Sequence, residues 1–85
     1  MNGDLDPALR GAVLRAVTSV CPPAYRDQVS EQAAFADLGF DSLDRITLAA
    51  AAEDTTGRHV SDEALPGLRT VSDLLIHLSA QGART

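Results

Sequence analysis

The sequence predicts a small all-α fold: a four-helix bundle of three main helices and one short helix, with a long loop between helices 1 and 2. Two observations carry this expectation. Apolar residues recur at three- and four-residue spacing in separate stretches bounded by capping residues, Gly or Pro, and the alternation that marks a half-buried strand is found nowhere. The length sets the scale. At 85 residues and 8.9 kDa the chain is expected to be one domain, residues 1–85, with its folded core over about 5–80. A chain this short buries roughly 60–65% of the surface it exposes when unfolded, which allows a single core.

The first helix is expected over about residues 6–20. Asp6 is a favoured N-cap and Pro7 suits a first helical turn, while Leu9, Val13, Val17 and Val20 recur at helical spacing. Gly11 weakens this helix by about 1 kcal/mol against alanine, and Cys21-Pro22-Pro23 ends it. The connection that follows, to about Phe40, has no clear period, and a loop of such length is usually functional or pinned by its own side chains. Val29, Phe35 and Leu38 are its expected anchors, with Tyr25 as a further one over the core. The second helix opens at Asp41, with Asp44 three residues on, and runs through Ala49–Ala52 to a stop at Gly57. Ser61 is the candidate cap of the short helix, which Pro66-Gly67 halts within about one turn. The last helix is the clearest: Thr70 caps with Asp73 three residues on, and Val71, Leu74, Leu75 and Leu78 form its apolar stripe. It is expected to end before Gly82, with residues 83–85 fraying.

Composition excludes several functions. Twelve acids against seven bases give a net charge of −5, and such a surface repels nucleic-acid phosphates and anionic membranes. The longest uncharged apolar stretch, residues 46–52, is far short of a membrane span of about 20 residues. Asp4 and Asp6 stand where the basic region of a signal peptide belongs, so a cytoplasmic location is expected. Cys21 has no partner for an internal disulfide, and with His59 and His77 it does not make a ligand set of zinc spacing. Two scattered histidines, no lysine and no Gly-rich phosphate loop leave little equipment for catalysis, so the chain is not expected to be an enzyme.

The segment Leu38-Gly39-Phe40-Asp41-Ser42-Leu43-Asp44 strongly resembles the modification site of acyl carrier proteins, in which Asp-Ser-Leu opens the second helix of a four-helix bundle. Phe35-Ala36-Asp37-Leu38-Gly39 resembles that family's approach to the serine. Val60-Ser61-Asp62-Glu63 is similar to the start of its short helix, and Thr70 to Leu78 to its last helix. The resemblance covers roughly residues 9–78. It implies that a phosphopantetheinyl transferase moves 4'-phosphopantetheine from coenzyme A onto the Ser42 hydroxyl, and that acyl groups then ride as thioesters on the thiol of that arm. Asp41 is then a cap and a recognition charge beside the cofactor, not a base. A phosphodiester in the first turn of a helix meets free backbone N–H groups and the positive end of the macrodipole. Taken alone, Ser42 reads as an ordinary helix-start serine.

Two apolar stripes compete within the second helix: Leu48 and Ala52, with Ala51 or Thr55, against Leu43, Ile46 and Ala50. The resemblance implies that the Leu48 stripe faces inward, and that Leu43 and Ile46 beside the serine meet partner enzymes. Leu43, Asp44, Arg45, Ile46 and Ala50 are the candidate partner face. Arg45 and Thr47 interrupt the acids (Asp41, Asp44, Glu53, Asp54) that many fatty-acid members of the family carry along this helix. A partner relying on a continuous acidic stripe should dock poorly. Arg45, one turn along from Ser42 and expected to be exposed, is placed to meet a partner's carboxylate or the cofactor's phosphate, or else is simply solvated. The spacing of Phe35 and Leu38 is similar to that in carrier domains of polyketide synthases.

The expectation is a free-standing acyl carrier, monomeric, without catalysis of its own, serving a polyketide-like specialised pathway. Its partners would be the transferase, an acyltransferase or adenylating loading enzyme, and a ketosynthase or other acyl-processing enzymes. A peptidyl or aminoacyl carrier is the alternative, although Phe40 and Asp44 depart from the Gly-Gly-x-Ser-Leu that such carriers favour. An unmodified helical interaction module docking through Leu43, Ile46 and Ala50 is a third reading.

Overall fold

The computed structural model describes residues 6–81. Expectations about residues 82–85, and about residues before Asp6, lie outside that range. Three helices make the bundle: α1 (Pro7–Val20), α2 (Ser42–Thr56) and α3 (Val71–Gln81). Helix α1 packs against both α2 and α3. No strand forms among the described residues; one isolated bridge joins Ala34 to Thr70.

Each helix starts where its capping residues place it. The Asp6 carboxylate accepts the Ala8 N–H at 3.0 Å, with Pro7 in the first turn. Asp41 and Asp44 form a reciprocal capping box on α2, and Thr70 and Asp73 do the same for α3. In the second box the Asp73 carboxylate also accepts the Arg69 N–H. Helix α2 ends at Gly57, whose φ of 73° is the left-handed conformation a glycine adopts at no steric cost.

The core is built from the stripes these helices turn inward. Leu9, Val13 and Val17 of α1 are buried, together with Ala12 and Ala16; Val20 is only partly buried. Val71, Leu74, Leu75 and Leu78 of α3 are all buried. Phe35, Leu38 and Phe40 close the core from the loop, with Val29 partly buried against it. Each large apolar side chain enclosed in this way contributes about 1.5–3 kcal/mol.

Three features depart from the sequence reading. The long connection is not structureless, because it contains 3₁₀ helices at Pro23–Gln28 and Ala36–Leu38. It is also tied to the start of α3: the Phe35 N–H donates to the Arg69 carbonyl, Val71 to Ala33 and Ser72 to Glu31. The short helix is a turn running into a 3₁₀ helix at Leu65–Gly67, so Pro66-Gly67 lies inside it and not beyond it. Lacking an N–H, Pro66 stops the i→i+4 pattern after Leu65 N–H donates to Ser61, and the tighter pattern resumes with Gly67 donating to Ala64. Tyr25 lies at the surface over Gly39 and not over the core.

Cys21 is fully enclosed, with its thiol directed at the Leu38 carbonyl 4.0 Å away. Burial pushes this thiol up from its ordinary pKa, an effect the Arg26 guanidinium partly offsets. It remains a neutral apolar-like side chain of the core.

Candidate functional site at the start of helix α2

The chain reaches Ser42 through a tight chain reversal. The Phe40 N–H donates to the Phe35 carbonyl at 3.1 Å and the Gly39 N–H to the Ala36 carbonyl at 3.2 Å, which is the paired bonding of a Schellman stop. Gly39 occupies its left-handed position at φ 79°. A Cβ there would also stand 2.9 Å from the Tyr25 ring, so both backbone and packing require glycine. The apolar contact that accompanies such a stop is supplied by Phe35 and Phe40, whose rings stack at 5.7 Å between centroids and 12° between planes. Phe35 and Phe40 are thereby fixed in the core, and the next residue, Asp41, is delivered as the cap of α2.

Asp41 decides what Ser42 is free to do. The Asp44 N–H donates to the Asp41 carboxylate at 2.9 Å, and the Asp41 N–H to that of Asp44 at 3.1 Å. Because Asp41 is the cap, Ser42 stands at the helix start with its hydroxyl unused in capping. It is the first residue of α2, exposed, and its hydroxyl forms no hydrogen bond among the described residues. The amides of Ser42 and Leu43 lie in the helix's first turn, where no intrahelical acceptor exists.

Helix α2 resolves the competition between its two stripes. Leu48, Ala49 and Ala52 are buried, whereas Leu43 is 70% exposed and Ile46 56% exposed, and Ala50 is also exposed. Asp44 is half-buried with its carboxylate engaged in the capping box. Arg45 corrects the expectation of an exposed guanidinium. It is half-buried, and its guanidinium carbon lies 5.7 Å from the centroid of the Phe35 ring. Beside these residues an open groove of about 400 Å³ runs between α2 and the Leu65–Gly67 turn, lined by Ser42, Arg45, Ile46, Asp62, Leu65 and Pro66.

The remaining polar residues hold the frame. One Glu53 oxygen accepts the Val60 N–H at 2.7 Å and pairs with His59 Nδ1 at 2.8 Å, fixing the segment after α2. Arg58 donates to the Leu78 carbonyl in the last turn of α3, where a cation also suits the macrodipole. Arg10 pairs with Glu31 at 2.6 Å, tying α1 to the long connection. These contacts are not visible as sequence motifs, because each joins residues that only the fold brings together. The Schellman stop did leave a signal: Phe-x-x-x-Gly-Phe immediately before a capping Asp. Among the described residues no His, Cys, Asp and Glu cluster is arranged to hold a metal ion, and no helix is long and apolar enough to cross a membrane.

Residues 13–78 match the family described as the phosphopantetheine attachment site. An acyl carrier protein of Rhodococcus erythropolis is 38% identical over 77 residues, an alignment that covers 86% of this chain and 80% of that protein.

Proposed function

The chain belongs to the acyl carrier protein family, which carries 4'-phosphopantetheine, and we propose that Ser42 is the residue to which the group is attached. The observation that carries this assignment is the exposed Ser42 hydroxyl, released from capping by Asp41 and standing at the mouth of the groove. The residues present suit the group. A phosphodiester on Ser42 lies at the positive end of α2, beside the unbonded amides of its first turn. When attached, the arm offers a thiol on which acyl groups are held as thioesters.

The transferase reaction forms a bond between Ser42 Oγ and the phosphorus of coenzyme A's pantetheine phosphate, and breaks the pyrophosphate bond to release adenosine 3',5'-bisphosphate. The hydroxyl proton passes to a base of the transferase, while the Asp41 and Asp44 carboxylates each accept a backbone N–H and hold the helix start. The chain thus acts as carrier and not as catalyst. Leu43, Ile46 and Ala50 present the docking face to partner enzymes, with Asp44 and Arg45 at its edge. A phosphopantetheinyl transferase, an acyltransferase or adenylating loading enzyme, and a ketosynthase or other acyl-processing enzyme would meet it in turn. The Phe35 to Leu38 spacing and the interruption of the acids by Arg45 and Thr47 support a polyketide-like specialised pathway, with the protein working as a cytoplasmic monomer.

Intact mass after incubation with coenzyme A and a promiscuous transferase tests the assignment. A gain of one phosphopantetheine group that Ser42→Ala abolishes is expected. No gain with several competent transferases would overturn it and leave a helical interaction module. Loading of the attached thiol by an acyltransferase, and not by an amino-acid-adenylating enzyme, separates the acyl from the aminoacyl carrier.

A further inference from the structure

Arg45 differs from Arg10 and Arg58 in what its guanidinium meets. Arg10 pairs with Glu31 and Arg58 donates to the Leu78 carbonyl, but Arg45 forms no ion pair among the described residues. It stands three residues after Ser42, so the two side chains share a face of α2, with Cβ atoms about 5–6 Å apart. Both line the same groove. Its guanidinium carbon stands over the Phe35 ring, 5.7 Å from the centroid, and Phe35 is itself stacked against Phe40. A planar guanidinium loses little further freedom on forming paired hydrogen bonds.

The anion it suits has the charge that attachment creates. A phosphodiester on Ser42 adds one negative charge on Arg45's own helix face, and charge-assisted N–H···O bonds to phosphate are among the stronger protein hydrogen bonds. Three carboxylates are near enough in the fold to compete. Asp41 and Asp44 are engaged by backbone amides at the helix start, and Asp62 lines the groove without forming an ion pair to Arg45. We propose that Arg45 is a positioning residue for the Ser42 phosphodiester: its guanidinium, set over the Phe35 ring, pairs with that group and holds it at the mouth of the groove facing Leu65 and Pro66. This role rests on attachment at Ser42.

The test compares apo and holo forms of the wild type, Arg45→Gln and Arg45→Lys, with intact mass establishing loading in each. In the wild type, loading should shift the Arg45 Nε–H resonance and slow its exchange with water. The ³¹P resonance of holo Arg45→Gln should move away from that of the wild type, with Arg45→Lys between them. Loading should raise the melting midpoint of the wild type at low salt, less so at high salt, and this salt-sensitive gain should vanish in Arg45→Gln. Full loading with an unmoved Arg45 resonance, or with the same ³¹P shift and apo-to-holo melting difference in wild type and Arg45→Gln, would overturn the proposal. An Arg45 resonance that moves only when a partner enzyme is added would assign the charge to the partner and overturn it equally. A wild type that never gains the group fails at the mass measurement, which marks the attachment reading as the one at fault.

Discussion

Helices α2 and α3 begin alike and end up serving opposite purposes. Each opens on a reciprocal capping box three residues wide, Asp41 with Asp44 and Thr70 with Asp73. Each then carries apolar residues at helical spacing. In α3 the stripe Val71, Leu74, Leu75 and Leu78 is wholly enclosed. In α2 the enclosed side is Leu48 with the small residues Ala49 and Ala52, while Leu43 and Ile46 remain in solvent next to Ser42. Capping thus sets where a helix starts, and the size of the residues on its inward side sets how much apolar surface it has left to offer. A helix anchored largely by alanines leaves its larger side chains in solvent.

That contrast can be broken by substitution. Leu74→Ala removes a fully enclosed side chain and should cost about 2–5 kcal/mol, read as a lowered midpoint in urea or thermal unfolding. An unchanged midpoint would mean that α3 is not packed as described. Removing a cap should cost less: Asp41→Ala is expected to lose about 1 kcal/mol, most of which Asp41→Asn should restore because the amide oxygen still accepts the Asp44 N–H. The exposed counterpart of Leu74 is Ile46, and Ile46→Ala should change stability by no more than about 0.5 kcal/mol while slowing acyl transfer with a cognate enzyme. Collapsed melting with transfer intact in the folded fraction would return Ile46 to the core and end the contrast. The smallest effect is expected of Thr47→Glu, which extends the acids along exposed α2. It should leave melting unchanged and speed association with fatty-acid enzymes at low salt only, and stopped-flow rates that do not depend on salt would refute it.

Features governed by neighbouring residues were legible in the sequence. The caps at Asp6, Asp41 and Thr70, the stop at Gly57 and the stripe of α3 all depend on groups within one or two turns of each other. Ser42 taken alone reads as an ordinary helix-start serine and is singled out by its resemblance to the family's Asp-Ser-Leu; its exposure follows from its place after a capping Asp. The setting of the site was not legible. The placement of Arg45 over the Phe35 ring spans a chain reversal, and the groove needs the Leu65–Gly67 turn brought against α2. Tyr25 reads as an anchor by composition, but the partner that keeps it at the surface is the bare backbone of Gly39, which leaves no mark in a hydrophobic pattern. Cys21 similarly gives no local sign of its complete enclosure, because the carbonyl its thiol faces belongs to Leu38.

The three backbone bonds between the long connection and the start of α3 bear on the order in which the protein acquires its shape. They join residues 31–35 to residues 69–72, separated by nearly half the chain, so forming them costs the closure of a long loop. The Phe35 amide, which donates across that closure, belongs to the same residue whose carbonyl starts the stop before α2. The shape of the chain just ahead of Ser42 is therefore inherited from the far end of the sequence. In hydrogen exchange the amides of Phe35, Val71 and Ser72 should open together as one unit, and a chain that has not yet docked α3 carries the serine without the ordered approach that presents it.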